Sequence, residues 1–218
     1  MINLQIDHFM WGAPNLDEGI REAQRLFGVQ AALGGSHPGL GTRNALLSLG
    51  EAVYLEIIAP DPEQRLEGTF GERLGTLESC ALITWAVGST DLGVLSRELA
   101  ERGFACRGPV RTRRATPEGN LLEWDLLFPD ASGYAGTFPF FIDWLNCPHP
   151  AAHNPSAGAF RGLNITLPQA VELAATLTSL GLEVAVQEGA PSITVEIDVG
   201  GSTLTLQSTS QSMAIRMF

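Results

Sequence analysis

The sequence predicts an α+β fold of repeated βαβββ modules, with curved mixed sheets that carry their helices on the outer face. Three observations point there. The order strand, helix, three strands recurs three times along 218 residues. Each helical pattern runs into a glycine and then an apolar residue, as Phe27-Gly28-Val29, Arg102-Gly103-Phe104 and Leu180-Gly181-Leu182. The extended runs carry their apolar residues in strand-sized lengths, and a 44% hydrophobic composition suffices for a sizeable core.

The first module covers residues 1–60. An apolar run from Leu4 to Trp11 meets a turn at Pro14-Asn15. Leu16, Ile20, Ala23 and Phe27 then share one helix face, with Asp17 and Glu18 suited to the positive end of the helix dipole. Three extended runs follow, Val29–Leu33, Asn44–Leu49 and Val53–Ala59, separated by turns at Gly34-Gly35 and Gly50-Glu51. The second module covers 80–145. Cys80–Val87 is a strand, Ser89-Thr90-Asp91 caps a helix bearing Leu92, Leu95 and Leu99, and Gly103 closes it. Strands are predicted at Pro109–Ala115, Leu121–Phe128 and Phe138–Leu145, with a turn at Pro117-Glu118-Gly119-Asn120. The third, βαβββ-like module covers 160–208. It runs from Gly162–Leu167 through a helix starting at Pro168 to strands at Leu182–Gln187, Ser192–Val199 and Ser202–Gln207, the last two joined at Gly200-Gly201. Residues 61–79 and 146–159 read as linkers, and Ser208–Phe218 shows no period and reads as a mobile tail.

Composition excludes several classes. With 13 basic against 24 acidic residues the net charge is −11, and no basic patch offsets it, so a nucleic-acid partner is not expected. Three cysteines without a Cys-x-x-Cys pairing make neither a disulfide framework nor a zinc knuckle. No apolar run is long enough to span a membrane, and Met1–His8 lacks the form of a signal peptide, so a soluble cytoplasmic protein is expected.

Alternation places Ile6, His8 and Met10 on one face of the first strand and Asp7, Phe9 and Trp11 on the other. In the last strand of that module Val53, Leu55 and Ile57 form an apolar set, which leaves Tyr54, Glu56 and Ile58 facing the other way. A carboxylate inside an apolar strand is costly unless it is paired or bound to a cation. If the first and last strands are neighbours, His8 and Glu56 meet, and nitrogen plus oxygen is a ligand set for Zn, Ni, Mn or Fe. A plain buried His–Glu hydrogen bond uses the same residues. Asp143 repeats the pattern in the second module, where Thr84 stands in place of a histidine, and the third offers only Asn164 and Gln207. The glycine-rich segment from Gly34 to Asn44 carries donors at a strand entrance: His37, Thr42, Arg43 and Asn44. It reads as a substrate loop or as a glycine-rich hairpin connection. Trp144 reads as core or pocket wall, and His149 and His153 sit among prolines as a solvated linker.

Ile6-Asp7-His8, Leu26-Phe27-Gly28, His37-Pro38-Gly39-Leu40-Gly41-Thr42-Arg43-Asn44 and Tyr54-Leu55-Glu56-Ile57-Ile58 resemble the glyoxalase-like domain family of the vicinal oxygen chelate superfamily (the glyoxalase/bleomycin resistance/dioxygenase group). The resemblance continues through Pro139–Trp144 and His149-Pro150. It implies metal ligation by His8 and Glu56 with Asp143 as a third ligand, Glu56 or Asp143 moving a proton, and His37, Thr42, Arg43, Asn44 and Trp144 around a small-molecule substrate. The implied function is a divalent-metal-dependent enzyme of lyase, isomerase or dioxygenase type acting on a small oxygenated substrate. The alternative is a metal-free small-molecule binding protein of the bleomycin-resistance type. The third module then completes the sheet, forms a homodimer contact or replaces one module in the pairing.

Overall fold

The computed structural model describes residues 3–115, 119 and 121–217. Twelve strands and four helices follow in chain order: β1 (Gln5–Gly12), α1 (Leu16–Phe27), β2 (Ala32–His37), β3 (Thr42–Ser48), β4 (Tyr54–Pro60), α2 (Phe70–Leu74), β5 (Ala81–Gly88), α3 (Leu92–Glu101), β6 (Cys106–Ala115), β7 (Leu121–Pro129), β8 (Phe140–Asp143), β9 (Ala159–Thr166), α4 (Ala170–Ser179), β10 (Ala185–Gln187), β11 (Ser192–Val199) and β12 (Ser202–Gln207). The turn expected at residues 117–120 lies outside the described residues apart from Gly119.

The first two units merge into one eight-stranded sheet of order β2-β3-β4-β1-β5-β8-β7-β6. Each half has the same internal order, with β1 parallel to β4 and β5 parallel to β8, and the halves join through antiparallel β1 and β5. The mirrored order makes β2 and β6 the two edges. These edges approach each other, so the sheet curls into a half-barrel.

Side-chain alternation then creates two apolar layers. Phe9, Trp11, Leu47, Leu55, Ile57, Trp85 and Phe141 face outward onto the helices, against Ala23 and Phe27 of α1 and Leu95 and Leu99 of α3. Met10, Ile58, Trp124, Leu126, Phe140 and Ile142 face the hollow of the curl. The ends of α1 follow the sequence signals. Asn15 accepts a hydrogen bond from the Glu18 backbone N–H, and Gly28 takes the left-handed conformation at φ 70°.

The third unit keeps the element order but not the strand order. Its sheet runs β10-β9-β11-β12, so β11 separates the first and last strands, which are adjacent in the other two units. Asn164 and Gln207 therefore sit on strands that do not pair with each other. This sheet continues the outer apolar core, with Phe160 beside Phe9 at 5.2 Å between ring centroids.

Two segments differ from the sequence reading. The run after α1 becomes a strand only at Ala32 and continues through Gly34-Gly35, where a turn was expected. A register shift between Leu33 and Gly35, with Gly35 at φ 148°, absorbs the glycines as a bulge instead. The C-terminal segment, expected to be mobile, is tied down. The Ser212 hydroxyl donates to the Leu82 carbonyl at 2.6 Å, Met213 is buried, and Arg73 donates to the carbonyls of Arg216 and Met217.

Candidate active site in the sheet hollow

The hollow holds a cavity with an empty volume of about 540 Å3, mouth included. Its polar residues are His8, His37, Asn44, Glu56, Thr112 and Arg114; Tyr54, Trp124, Trp144 and aliphatic side chains form the wall.

His8 is fixed from three directions. In the β1–β5 ladder Ile6 pairs with Val87 and His8 with Ala86, which leaves Asp7 as the extra residue of a bulge. Strict alternation would put Asp7 on the opposite face. The bulge instead brings its carboxylate to His8, with Oδ1 2.6 Å from Nδ1. The Tyr54 ring stacks on the imidazole at 4.5 Å, and Phe140 meets it edge-on at 5.4 Å. Asp7 is 1% exposed, and its other oxygen accepts from Trp144 Nε1 at 3.1 Å and from His149 Nε2 at 3.0 Å. The Ala151 backbone N–H donates to His149 Nδ1, which places the His149 proton on Nε2. Burial pushes the Asp7 carboxyl up, but the hydrogen bonds from His149 and His8 outweigh it, and the group lies below its ordinary value of 3.8. Asp7 is thus an ionised acceptor. Its Oδ1 holds a His8 proton on Nδ1, and the other ring nitrogen, Nε2, faces Glu56.

His8 Nε2 is 3.7 Å from Glu56 Oε2. The other Glu56 oxygen accepts from Asn44 Nδ2 at 2.6 Å and lies 3.9 Å from His37 Nε2. His37 is held through Nδ1 by the Thr42 hydroxyl at 3.0 Å. Burial pulls the His37 imidazole below its ordinary value of 6.5, opposed in part by the Glu56 charge, so the ring is neutral near pH 7. Asn44 also accepts from Arg114 Nη1 at 3.2 Å.

The hollow therefore gathers His8, His37, Asn44, Glu56 and Trp144, with Thr42 behind His37. Asp143 and Arg43 are placed elsewhere. Phe140 and Ile142 line the cavity, so alternation along β8 turns Asp143 outward, beside Asp125 and Arg111; its Oδ1 accepts from the Leu145 N–H. This corrects the expectation that Asp143 joins His8 and Glu56. Arg43 likewise alternates with Thr42 and Asn44 and lies on the other face of β3, where its charge helps hold the Asp61 carboxyl down. Thr84 lines a second cavity of about 1510 Å3, which shares Phe70, Phe140 and Met217 with the first. Sequence reasoning passed over Asp7, Arg114 and His149. A carboxylate next to a strand histidine was the available signal for Asp7; His149 and Arg114 arrive through long-range contacts.

The donor set suits a small divalent cation. Unprotonated imidazole and carboxylate are its ligand types, and a carboxylate behind the ligating histidine is the usual orienting group. His8 and Glu56 would hold the ion, with His37 on the far Glu56 oxygen. Among the described residues no three His, Cys, Asp or Glu side chains are grouped to hold a metal ion.

A family model of the glyoxalase-like domain matches residues 6–181. The chain belongs to the glyoxalase-like domain family. With it comes membership of the vicinal oxygen chelate superfamily, and the curled sheet with outer helices is that fold. A hypothetical protein from Staphylococcus aureus superposes with a TM-score of 0.66 at 16% identity, covering 94% of this chain and 86% of that one. Methylmalonyl-CoA epimerase from Streptomyces coelicolor, in complex with 2-nitronate-propionyl-CoA, gives 0.50 at 16% identity over 67% of this chain and 98% of that one. At these identities the likeness is one of fold. A search of curated protein sequences finds no match. No helix among the described residues is long and apolar enough to cross a membrane.

Proposed function

We propose that the protein is a divalent-metal-supported enzyme that moves a proton on a small oxygenated substrate, in an isomerase- or lyase-type reaction. The observation that carries this reading is the line Asp7–His8···Glu56, buried in an apolar hollow with His8 Nε2 turned toward the carboxylate and the cavity. A purely structural histidine needs no carboxylate locking its tautomer and no second carboxylate facing its free nitrogen. Each residue has a task. Asp7 fixes the His8 tautomer. Asn44 orients Glu56. His8 and Glu56 hold the cation, which when bound polarises a substrate oxygen. His37, neutral and with Nε2 beside Glu56, accepts and returns the proton. Trp124 and Trp144 wall the hollow and limit water. The epimerase of the same fold makes proton transfer the reaction type to test first.

Protein purified without chelator is incubated with Zn2+, Ni2+, Mn2+ or Fe2+, and bound metal is counted per chain. Small oxo and hydroxy acids and thioesters are then screened by NMR in D2O for loss of a C–H signal beside the carbonyl. Wild type retains metal and exchanges one such proton; the double variant His8→Ala with Glu56→Gln does neither while staying folded. Exchange that persists in the double variant overturns the reading. Ligand binding by wild type with neither metal nor exchange leaves a metal-free binding protein.

A further inference from the structure

One charged group in the hollow makes no ion pair among the described residues. Arg114 is 5% exposed and lines the cavity. Among the described residues its hydrogen bond runs from Nη1 to Asn44 Oδ1, a neutral acceptor, and no carboxylate forms an ion pair with it. A buried guanidinium with a single neutral partner is costly, and folding alone gives no reason to keep it.

The chain goes to some length to put it there. Arg114 lies on β6, at one edge of the sheet, and reaches Asn44 on β3 near the opposite edge, across the closure of the curl. The path exists because residue 34 is glycine: a Cβ there would collide with both Asn44 Oδ1 and Arg114 Nη1. The Asn44 amide then serves two masters. Its oxygen accepts from Arg114 and its nitrogen donates to Glu56. Cation and carboxylate are held at the two ends of one amide, near enough that the Glu56 charge acts on Arg114 and yet apart as an ion pair.

We propose that Arg114 is the anchor for a carboxylate of the substrate, and that the substrate class is 2-oxo or 2-hydroxy carboxylic acids with an apolar body. A guanidinium fork matches the two oxygens of a carboxylate. An acid docked on Arg114 lies in the same cavity as Glu56 and His37. The apolar remainder faces Trp124, Leu126 and Phe140. This rests on the proposed action of His8 and Glu56 on an oxygen-bearing carbon, but the anchor itself is tested by binding alone.

The probe is 4-methyl-2-oxopentanoate against its methyl ester, followed by quenching of tryptophan fluorescence, since Trp124 and Trp144 line the hollow. In wild type the acid binds at least about 10-fold tighter than the ester, the range of a charge-assisted hydrogen bond. Arg114→Gln erases that ratio, and Arg114→Lys keeps part of it because a point charge remains without the fork. The double variant His8→Ala with Glu56→Gln keeps the ratio, which separates the anchor from the metal and proton-transfer reading: the anchor stands if this holds even when no metal or exchange is found. Equal binding of acid and ester by wild type, binding of neither, or a ratio that survives in folded Arg114→Gln overturns the proposal. If Arg114→Gln does not fold, the wild-type ratio and Arg114→Lys decide. A ratio lost in the double variant assigns the carboxylate to His8 and Glu56 instead.

Discussion

Replacing Asp7 by Asn tests the logic of the site with a change of one atom type. The carboxylate receives three donors, His8 Nδ1 at 2.6 Å, His149 Nε2 at 3.0 Å and Trp144 Nε1 at 3.1 Å. Two of them have no choice. Indole nitrogen only donates, and His149 keeps its proton on Nε2 because Nδ1 accepts from Ala151. An amide at position 7 must therefore keep its oxygen toward Trp144 and His149 and turn its NH2 toward His8. His8 then accepts on Nδ1 and carries its proton on Nε2, pointing at Glu56. The variant folds, because every polar group still has a partner. It loses the charge-assisted part of three hydrogen bonds, about 2–3 kcal/mol after the relief of burying a charge. In a chain of 218 residues that lowers Tm by about 4–12 °C. The sign with pH follows from the depressed Asp7 pKa. Its contribution is present above the unfolded value and is lost as pH falls through the lower folded one, so the Tm gap between wild type and variant, measured in EDTA, closes below about pH 4. Metal affinity drops by about 10–100-fold, the usual cost of losing an orienting carboxylate. Long-range 1H–15N correlation spectra of the ring read the tautomer directly. An unprotonated Nε2 in the variant, together with undiminished metal uptake, refutes the reasoning.

Three further outcomes can be measured. Gly34→Ala drives a methyl group into Asn44 and Arg114 and lowers stability by about 1–3 kcal/mol in urea unfolding, with weakened acid binding; a neutral result would mean that Arg114 does not lie against β2. Arg114→Met removes a buried charge that makes no ion pair among the described residues while keeping its apolar length, so the ligand-free protein gains about 1–3 kcal/mol, and a loss of stability would show that the guanidinium has a structural partner. Because His37 titrates below its ordinary 6.5 in the fold, the unfolded chain binds more protons between the two values. Stability therefore falls as pH drops below about 6.5, and His37→Gln flattens that slope in the metal-free protein.

The parts of this molecule legible in the sequence are those set by local periodicity. Gly28 at the end of α1 sits in the left-handed region that its position implied, and three strands follow each of α1, α3 and α4 in the order read. His8 and Glu56 could be placed on one face because parity along β1 and β4 holds over those few residues. Parity fails where the ladder gains or loses a residue. The bulge at Asp7 turns an outward carboxylate inward, and no pattern in Ile6-Asp7-His8 announces it, because the extra residue is defined only against β5. Asp143 fails for the related reason that a four-residue strand read by itself offers no independent check on which parity faces the hollow.

The third unit marks a deeper limit. Its repeat of strand and helix order is real, yet β11 pairs where the other units place their last strand. That pairing is set by contacts between whole strands and with the outer core, which the alternation within any one strand does not spell out. Arg114 belongs to the same category. Nothing near Arg111-Thr112-Arg113-Arg114 distinguishes the fourth residue from a solvated neighbour. Only the curl of eight strands brings the β6 edge to Asn44, and only the absence of a side chain at Gly34 lets the guanidinium in. Residues that supply chemistry from a single strand can be read from a sequence, whereas those that complete a site by closing a sheet acquire their meaning from its two edges together.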